Sequence, residues 1–165
     1  LVDPAMSDQE AAARGEAKEA LYRERAHGHV RPVAGLAAFL AQASTLGAQL
    51  AVATSADRAN VDFILGELGL VDTFAAIVIG TDVARGKPFP DLFLAAAARL
   101  GVSPSACVAF EDSLAGLEAA YRAGMRAVAL ATTLPAADLA QQPRVIRVVA
   151  DFTELDAAEL MQAAV

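Results

Sequence analysis

Three short stretches of this sequence place oxygen donors and one cation where phosphate chemistry could be done. Thr54-Ser55-Ala56 sets hydroxyls beside backbone N–H groups that a following helix would leave free, and together these make an oxyanion or phosphate site. A simple helix N-cap by Ser55 or Asp57 would present the same residues. Lys87 stands inside Gly86-Lys87-Pro88-Phe89-Pro90-Asp91, where two prolines fix a loop that would otherwise move. A lysine held there can neutralise phosphate charge, whereas a lysine taken in isolation reads as an ordinary solvated side chain. Glu111 and Asp112 follow an apolar run, Cys107 to Phe110. Adjacent carboxylates near a low-dielectric sheet edge are costly unless a cation compensates them, and Mg²⁺ binds one or two carboxylates together with a substrate phosphate. An acidic start to the next helix, favoured by the helix dipole, is compatible with that role because the cap needs only one carboxylate.

The elements that must carry these residues can be read from periodicity. Residues 49–54, 76–79, 107–110, 127–130 and 145–149 are short apolar runs bounded by turn formers, the pattern of strands buried on both faces of a parallel sheet. Between them lie helical patterns at 57–68, 90–100 and 113–123, a helical turn at 135–141, and a closing helix from Thr153. Upstream, Ser7 and Glu10 stand in capping-box spacing before an exposed polar helix that runs to about Ala26. Gly28 to Pro32 interrupts the pattern, and a second helix over 33–46 turns Leu36, Phe39, Leu40 and Ala43 to one face. Strands alternating with helices predict a Rossmann-like, doubly wound parallel α/β sheet with right-handed crossovers. In such sheets ligands bind beyond the carboxyl ends of the strands. Thr54, the loop from Gly80 to Lys87, Glu111-Asp112 and Ala131-Thr132-Thr133 all fall at those ends.

Composition narrows the classes. The chain has 165 residues, 13 Lys+Arg against 20 Asp+Glu, and a net charge of −7. At this length a chain can bury roughly 70% of its unfolded surface, so a core needs neither disulfides nor structural metal. Alanine makes up about a quarter of the residues and inflates the hydrophobic fraction, which favours closely packed helices over a membrane protein. No run of uninterrupted apolar residues is long enough for a transmembrane span. The acidic balance argues against a general nucleic-acid binder, which needs a basic surface to displace counterions. Cys107 is the single cysteine, so an intramolecular disulfide is excluded and a reducing cytoplasm is the expected setting. Cys107 itself reads as a buried, inert strand residue.

Other candidates carry less. His27 and His29, separated by glycine and flanked by Arg25 and Arg31, suit a solvated turn better than a metal site. Gly15, Gly66 and Gly69 form no dinucleotide fingerprint, and the P-loop pattern is absent. The start, Leu1-Val2-Asp3-Pro4, lacks an initiator methionine and a signal-peptide pattern, and reads as trimmed, processed or incomplete.

Taken in order, Val52-Ala53-Thr54-Ser55, Gly86-Lys87-Pro88-Phe89-Pro90-Asp91 and Phe110-Glu111-Asp112-Ser113-Leu114-Ala115-Gly116 resemble motifs II, III and IV of the haloacid dehalogenase superfamily. The likeness is to the subgroup of β-phosphoglucomutase and sugar-phosphate phosphatases, and covers the chain from about Pro32 to Leu155. The resemblance implies that Thr54 holds a transferring phosphoryl group, helped by the backbone at Ser55 and Ala56. It implies that Lys87 balances charge and that Glu111 and Asp112 orient Mg²⁺. Residues 1–30 are similar to the end of the family's helical cap, with Lys18 in the place of a substrate-contacting lysine, and residues 31–165 to its α/β core. Motif I, Asp-x-Asp-Gly-Thr, is not in the sequence; Asp3 lacks both the second aspartate and the Gly-Thr. In the family that strand lies between those matching 49–54 and 106–110, so the sheet is expected to have a central gap. The expectation is therefore the C-terminal part of a Mg²⁺-dependent phosphatase or phosphomutase, acting on a small phosphorylated metabolite through an aspartate that lies in a preceding segment of the same protein. The rival expectation is a truncated, inactive module that binds phosphometabolites or a partner protein.

Overall fold

The computed structural model describes residues 7–162. The readings that rest on Leu1 to Pro4, Asp3 included, lie outside these residues. These residues divide into two compact units, one formed by residues 7–31 and 58–71, the other by 32–57 and 72–162.

The first unit pairs helix α1 (Asp8–Ala26) with helix α3 (Arg58–Leu68). The expected capping box closes α1: Ser7 Oγ accepts from Glu10 N–H at 3.3 Å while Glu10 accepts from Ser7 N–H at 3.0 Å. Polar groups join the two helices. Asn60 is buried, accepts from Arg23 at 2.7 Å and donates to Glu19 at 2.6 Å. Glu67 accepts from Gly28 N–H at 2.6 Å and meets His27 Nδ1 at 2.8 Å. The Gly28 N–H, with His27 adding to it, holds the Glu67 carboxyl below the usual carboxylate range. Tyr22 and Phe63 add one edge-to-face ring contact at 6.5 Å.

The second unit holds the strands. Strand β1 (Ala51–Ala53) pairs in parallel with β2 (Ala76–Val78), and β3 (Val108–Glu111), β4 (Arg126–Leu130) and β5 (Val145–Val149) form a second parallel sheet in the order β3-β4-β5. Helices α2 (Leu36–Thr45), α4 (Asp91–Leu100), α5 (Leu114–Arg122), α6 (Ala136–Leu139) and α7 (Ala157–Gln162) complete it. Side chains on β4 alternate between two cores, as a period of two requires. Ala127 and Ala129 pack with Phe93, Leu117 and Leu139, the side of α4, α5 and α6. Val128 and Leu130 pack with Phe39, Phe152 and Leu160, the side of α2 and α7. The alanines of α4 and α5 are the small residues that let those helices lie close.

The central gap is visible among the described residues. β1 pairs only with β2 and β3 only with β4. Between them, Ala51, Ala53, Val108 and Phe110 line an apolar cavity of about 440 Å³.

Three local expectations need correction. The second helix begins at Leu36, not residue 33, because Gly35 takes φ 77° and a Cβ there would lie 2.6 Å from Thr153 N. No helix starts at Thr153. Asp151 accepts from Thr153 N–H at 2.8 Å and closes a short turn, and α7 starts later, where Asp156 accepts from Ala158 N–H at 2.7 Å. Cys107 lies one residue before β3, not inside it, and is half-buried, with its Sγ directed at the Ser103 carbonyl at 3.4 Å. Burial pushes its thiol up, which suits an inert role.

Candidate active site

The ends of β1 and β3 meet through one lysine. The loop before α4 is clamped by Arg85, which donates to both oxygens of Asp91 at 3.1 and 2.8 Å. That pairing holds the Asp91 carboxyl below its ordinary range. From the clamped loop Lys87 reaches inward. Its Nζ donates to the Ala53 carbonyl at 3.2 Å, pairs with Glu111, and lies 5.1 Å from the centre of the Phe93 ring. The Lys87 side chain is 16% exposed and that of Glu111 is 7% exposed, so the pair is largely removed from water. A solvated lysine would show neither the burial nor the partners.

Thr54 follows β1 directly, and its N–H donates to the Val78 carbonyl at 3.0 Å. Its Oγ1 accepts from Ala56 N–H at 3.1 Å. That leaves the hydroxyl proton for an incoming oxygen and commits the Ala56 N–H, which the sequence had offered to phosphate. Ser55 is exposed.

Glu111 and Asp112 look equivalent in sequence and are unequal in space. Alternation along β3 sends Phe110 toward Phe39 and Phe152, with ring centres 5.3 and 5.5 Å away, and Glu111 to the opposite face. There Glu111 Oε1 takes Lys87 and Oε2 accepts from Ser113 Oγ at 3.2 Å. Ser113 in turn caps α5 by accepting from Gly116 N–H at 3.0 Å. Asp112 is half-buried and accepts from Thr133 through Oδ2. Thr133 and Ser113 carry no distinctive chemistry in isolation; their positions after strand ends were the available signal.

Carboxylate oxygens are the hard donors that Mg²⁺ takes together with waters and substrate phosphate, so the chemistry of Glu111 and Asp112 fits that ion. Among the described residues no group of three or more His, Cys, Asp or Glu forms a metal cluster.

The other candidates lie elsewhere. Lys18 belongs to the first unit, pairs with Glu19 at 2.6 Å and is exposed. Asp82, at the end of β2, is occupied by Arg99 at 3.0 Å and Ile79 N–H at 3.2 Å. His27 is taken by Glu67.

The structure thus presents a parallel α/β unit with a threonine, a lysine and adjacent carboxylates gathered at its strand ends. Comparison with known proteins places it more closely. The model of the haloacid dehalogenase-like hydrolases matches residues 3–124, and the chain belongs to that family. Among relatives, Protein CbbY of Rhodobacter capsulatus is 42% identical over 126 residues, covering 74% of this chain and 56% of its own. Beta-phosphoglucomutase of Bacillus subtilis is 41% identical over 121 residues, covering 72% of this chain and 50% of its own. The chain thus spans only part of these relatives. Among solved structures, a family IA, variant 3 hydrolase of Entamoeba histolytica superposes with a TM-score of 0.88 at 28% identity, covering 96% of this chain and 73% of that one. No helix among the described residues is long and apolar enough to cross a membrane.

Proposed function

We propose that this chain carries the phosphate- and metal-binding part of a Mg²⁺-dependent phosphatase or phosphomutase acting on a small phosphorylated metabolite, a sugar phosphate. The observation that carries the reading is the convergence of Lys87 on the Ala53 carbonyl and Glu111, which brings three distant sequence stretches to one point at the strand ends. The sugar comes from the relatives: one is named a phosphoglucomutase and another, from Escherichia coli, a fructose-1-phosphate phosphatase.

Phosphoryl transfer is mostly positioning and charge stabilisation. Thr54 Oγ1 would donate to a phosphoryl oxygen, with Ser55 and the backbone around Ala56 beside it. Lys87 would balance the charge between phosphoryl group and nucleophile, held in place by Glu111. Asp112, oriented by Thr133 and assisted by Glu111, would hold Mg²⁺, which supplies positive charge against the phosphate. The nucleophile is an aspartate of a segment outside these 165 residues. Its carboxylate attacks phosphorus, the P–O bond to the sugar breaks toward the leaving oxygen, and an aspartyl-phosphate results. That segment would enter as a parallel strand in the cavity between β1 and β3, whose facing edges have no partner among the described residues. The helix α1 with Lys18 would be the remnant of the family's helical cap. A cytoplasmic setting suits a small phosphorylated substrate and a single reduced cysteine.

The test is hydrolysis of p-nitrophenyl phosphate with and without Mg²⁺ by the longest natural form and by the 165-residue chain. Mg²⁺-dependent turnover by the longer form, lost in Glu111→Ala, is expected. Inactivity of the longer form together with phosphate binding that ignores Mg²⁺ would instead establish the binding-module reading.

A further inference from the structure

Gly116 sits at the third position of α5, where the backbone is helical and glycine offers no conformational advantage. Helix propensity favours alanine there. What the position lacks is room. A Cβ built on Gly116 would lie 2.5 Å from Glu111 Oε1 and closer still to Oε2 and Cδ. The Glu111 carboxylate occupies the space that a side chain would fill, flanked by Lys87 and Ser113.

We infer that Gly116 is a positioning residue: its missing side chain is the socket for the Glu111 carboxylate, and through Glu111 it holds Lys87 at the ends of β1 and β3. The carboxylate is the far end of a flexible side chain, so an added methyl would push it aside. Such a shift breaks the Lys87 pair and the Ser113 hydrogen bond at once, while α5 keeps its register. The same Gly116 supplies the N–H that Ser113 Oγ accepts, so one residue orders both the cap of α5 and the acid beside it. The catalytic consequence rests on the phosphoryl-transfer reading. The placement of Lys87 does not, and can be measured without turnover.

The chain has two lysines, Lys18 and Lys87, in different units. Limited acetylation with acetic anhydride, read by mass spectrometry as the Lys87/Lys18 ratio, therefore reports the Lys87 environment against an internal control. In the longest natural form that contains this chain, with Lys87 and Lys18 read on their own peptides, Gly116→Ala is expected to raise that ratio about tenfold, the equilibrium worth of one charge-assisted hydrogen bond. In a Glu111→Asp background, where the acid is shorter by a methylene, the same alanine should change the ratio by less than about twofold. It should there also raise the folding equilibrium constant by up to about fivefold, the ordinary helix preference of alanine over glycine. Equal ratios for Gly116→Ala and the parent, or the same rise in both backgrounds, would overturn the inference. If Gly116→Ala fails to fold, a folded Gly116→Ala/Glu111→Asp double variant supports the socket, and an unfolded one refutes it. An inactive full-length enzyme would count against the proposed function and leave the lysine ratios to decide this point.

Discussion

The two units are held by different forces. Between α1 and α3 the recorded links are mostly polar: Asn60 with Arg23 and Glu19, and Glu67 with Gly28 and His27. The sheet-bearing unit is held by apolar burial, with Phe39, Phe110 and Phe152 stacked within 5.5 Å on one side of β4 and alanine-rich helices on the other. Apolar burial has no charge for pH to titrate or dilute salt to screen, whereas hydrogen-bonded charges near the surface respond to both. The candidate site belongs to the unit built on burial, which offers the rigid support that a positioned lysine and carboxylates require.

Four substitutions probe that contrast, in falling order of effect. Phe39→Ala removes the ring at the centre of the phenylalanine cluster and should cost about 3–5 kcal/mol of stability in urea unfolding. A loss under about 1 kcal/mol would show that apolar packing does not dominate this unit. Glu111→Ala leaves Lys87 without its anionic partner in a largely dry setting and should cost about 3 kcal/mol, more than Lys87→Met, which removes the charge as well. Equal costs would mean that water reaches the pair. Asn60→Ala should cost about 1–3 kcal/mol, seen as faster hydrogen exchange in α1 and α3 with β4 unchanged. Loss of protection in β4 as well would make the two units one cooperative body.

The smallest effect is a pH dependence. Glu67 has its folded carboxyl lowered, chiefly by the Gly28 N–H and further by His27, so its contribution is present above the unfolded carboxylate value. It is lost as pH falls below the usual carboxylate range through the lowered folded value. Exchange of α1 amides should therefore quicken over that acid window in the parent chain, and Glu67→Gln should flatten the change. An unaltered acid profile in Glu67→Gln would assign the sensitivity to other carboxylates.

Much of this was legible in the sequence. Parallel strands buried on both faces must be short apolar runs, so 76–79 and 145–149 stand out without any fold in view, and Ser7 with Glu10 forms the box that their spacing predicts. Periodicity runs α2 back to residue 33, whereas the helix starts at Leu36 because Gly35 answers to Phe152 and Thr153, more than a hundred residues away. Thr153 opens no helix because the neighbouring Asp151 side chain accepts from its N–H and closes a short turn. At the site, residue types and strand-end positions singled out Thr54, Lys87, Glu111 and Asp112. The roles of Ser113, Thr133 and Gly116 were not readable, since a hydroxyl or a glycine has no signature until its partner is known.

Sequence by itself determined the strand–helix alternation and the set of charged residues available at the strand ends. These follow from local periodicity and side-chain chemistry, which a chain carries in its order alone. Tertiary structure decided how those charges are shared: Glu111 paired with Lys87 and seated against Gly116, and Asp112 joined to Thr133 through Oδ2. It also decided that β1 and β3 face a common cavity without pairing. Such allocation depends on which atoms meet across long sequence distances, and only a packed chain fixes that.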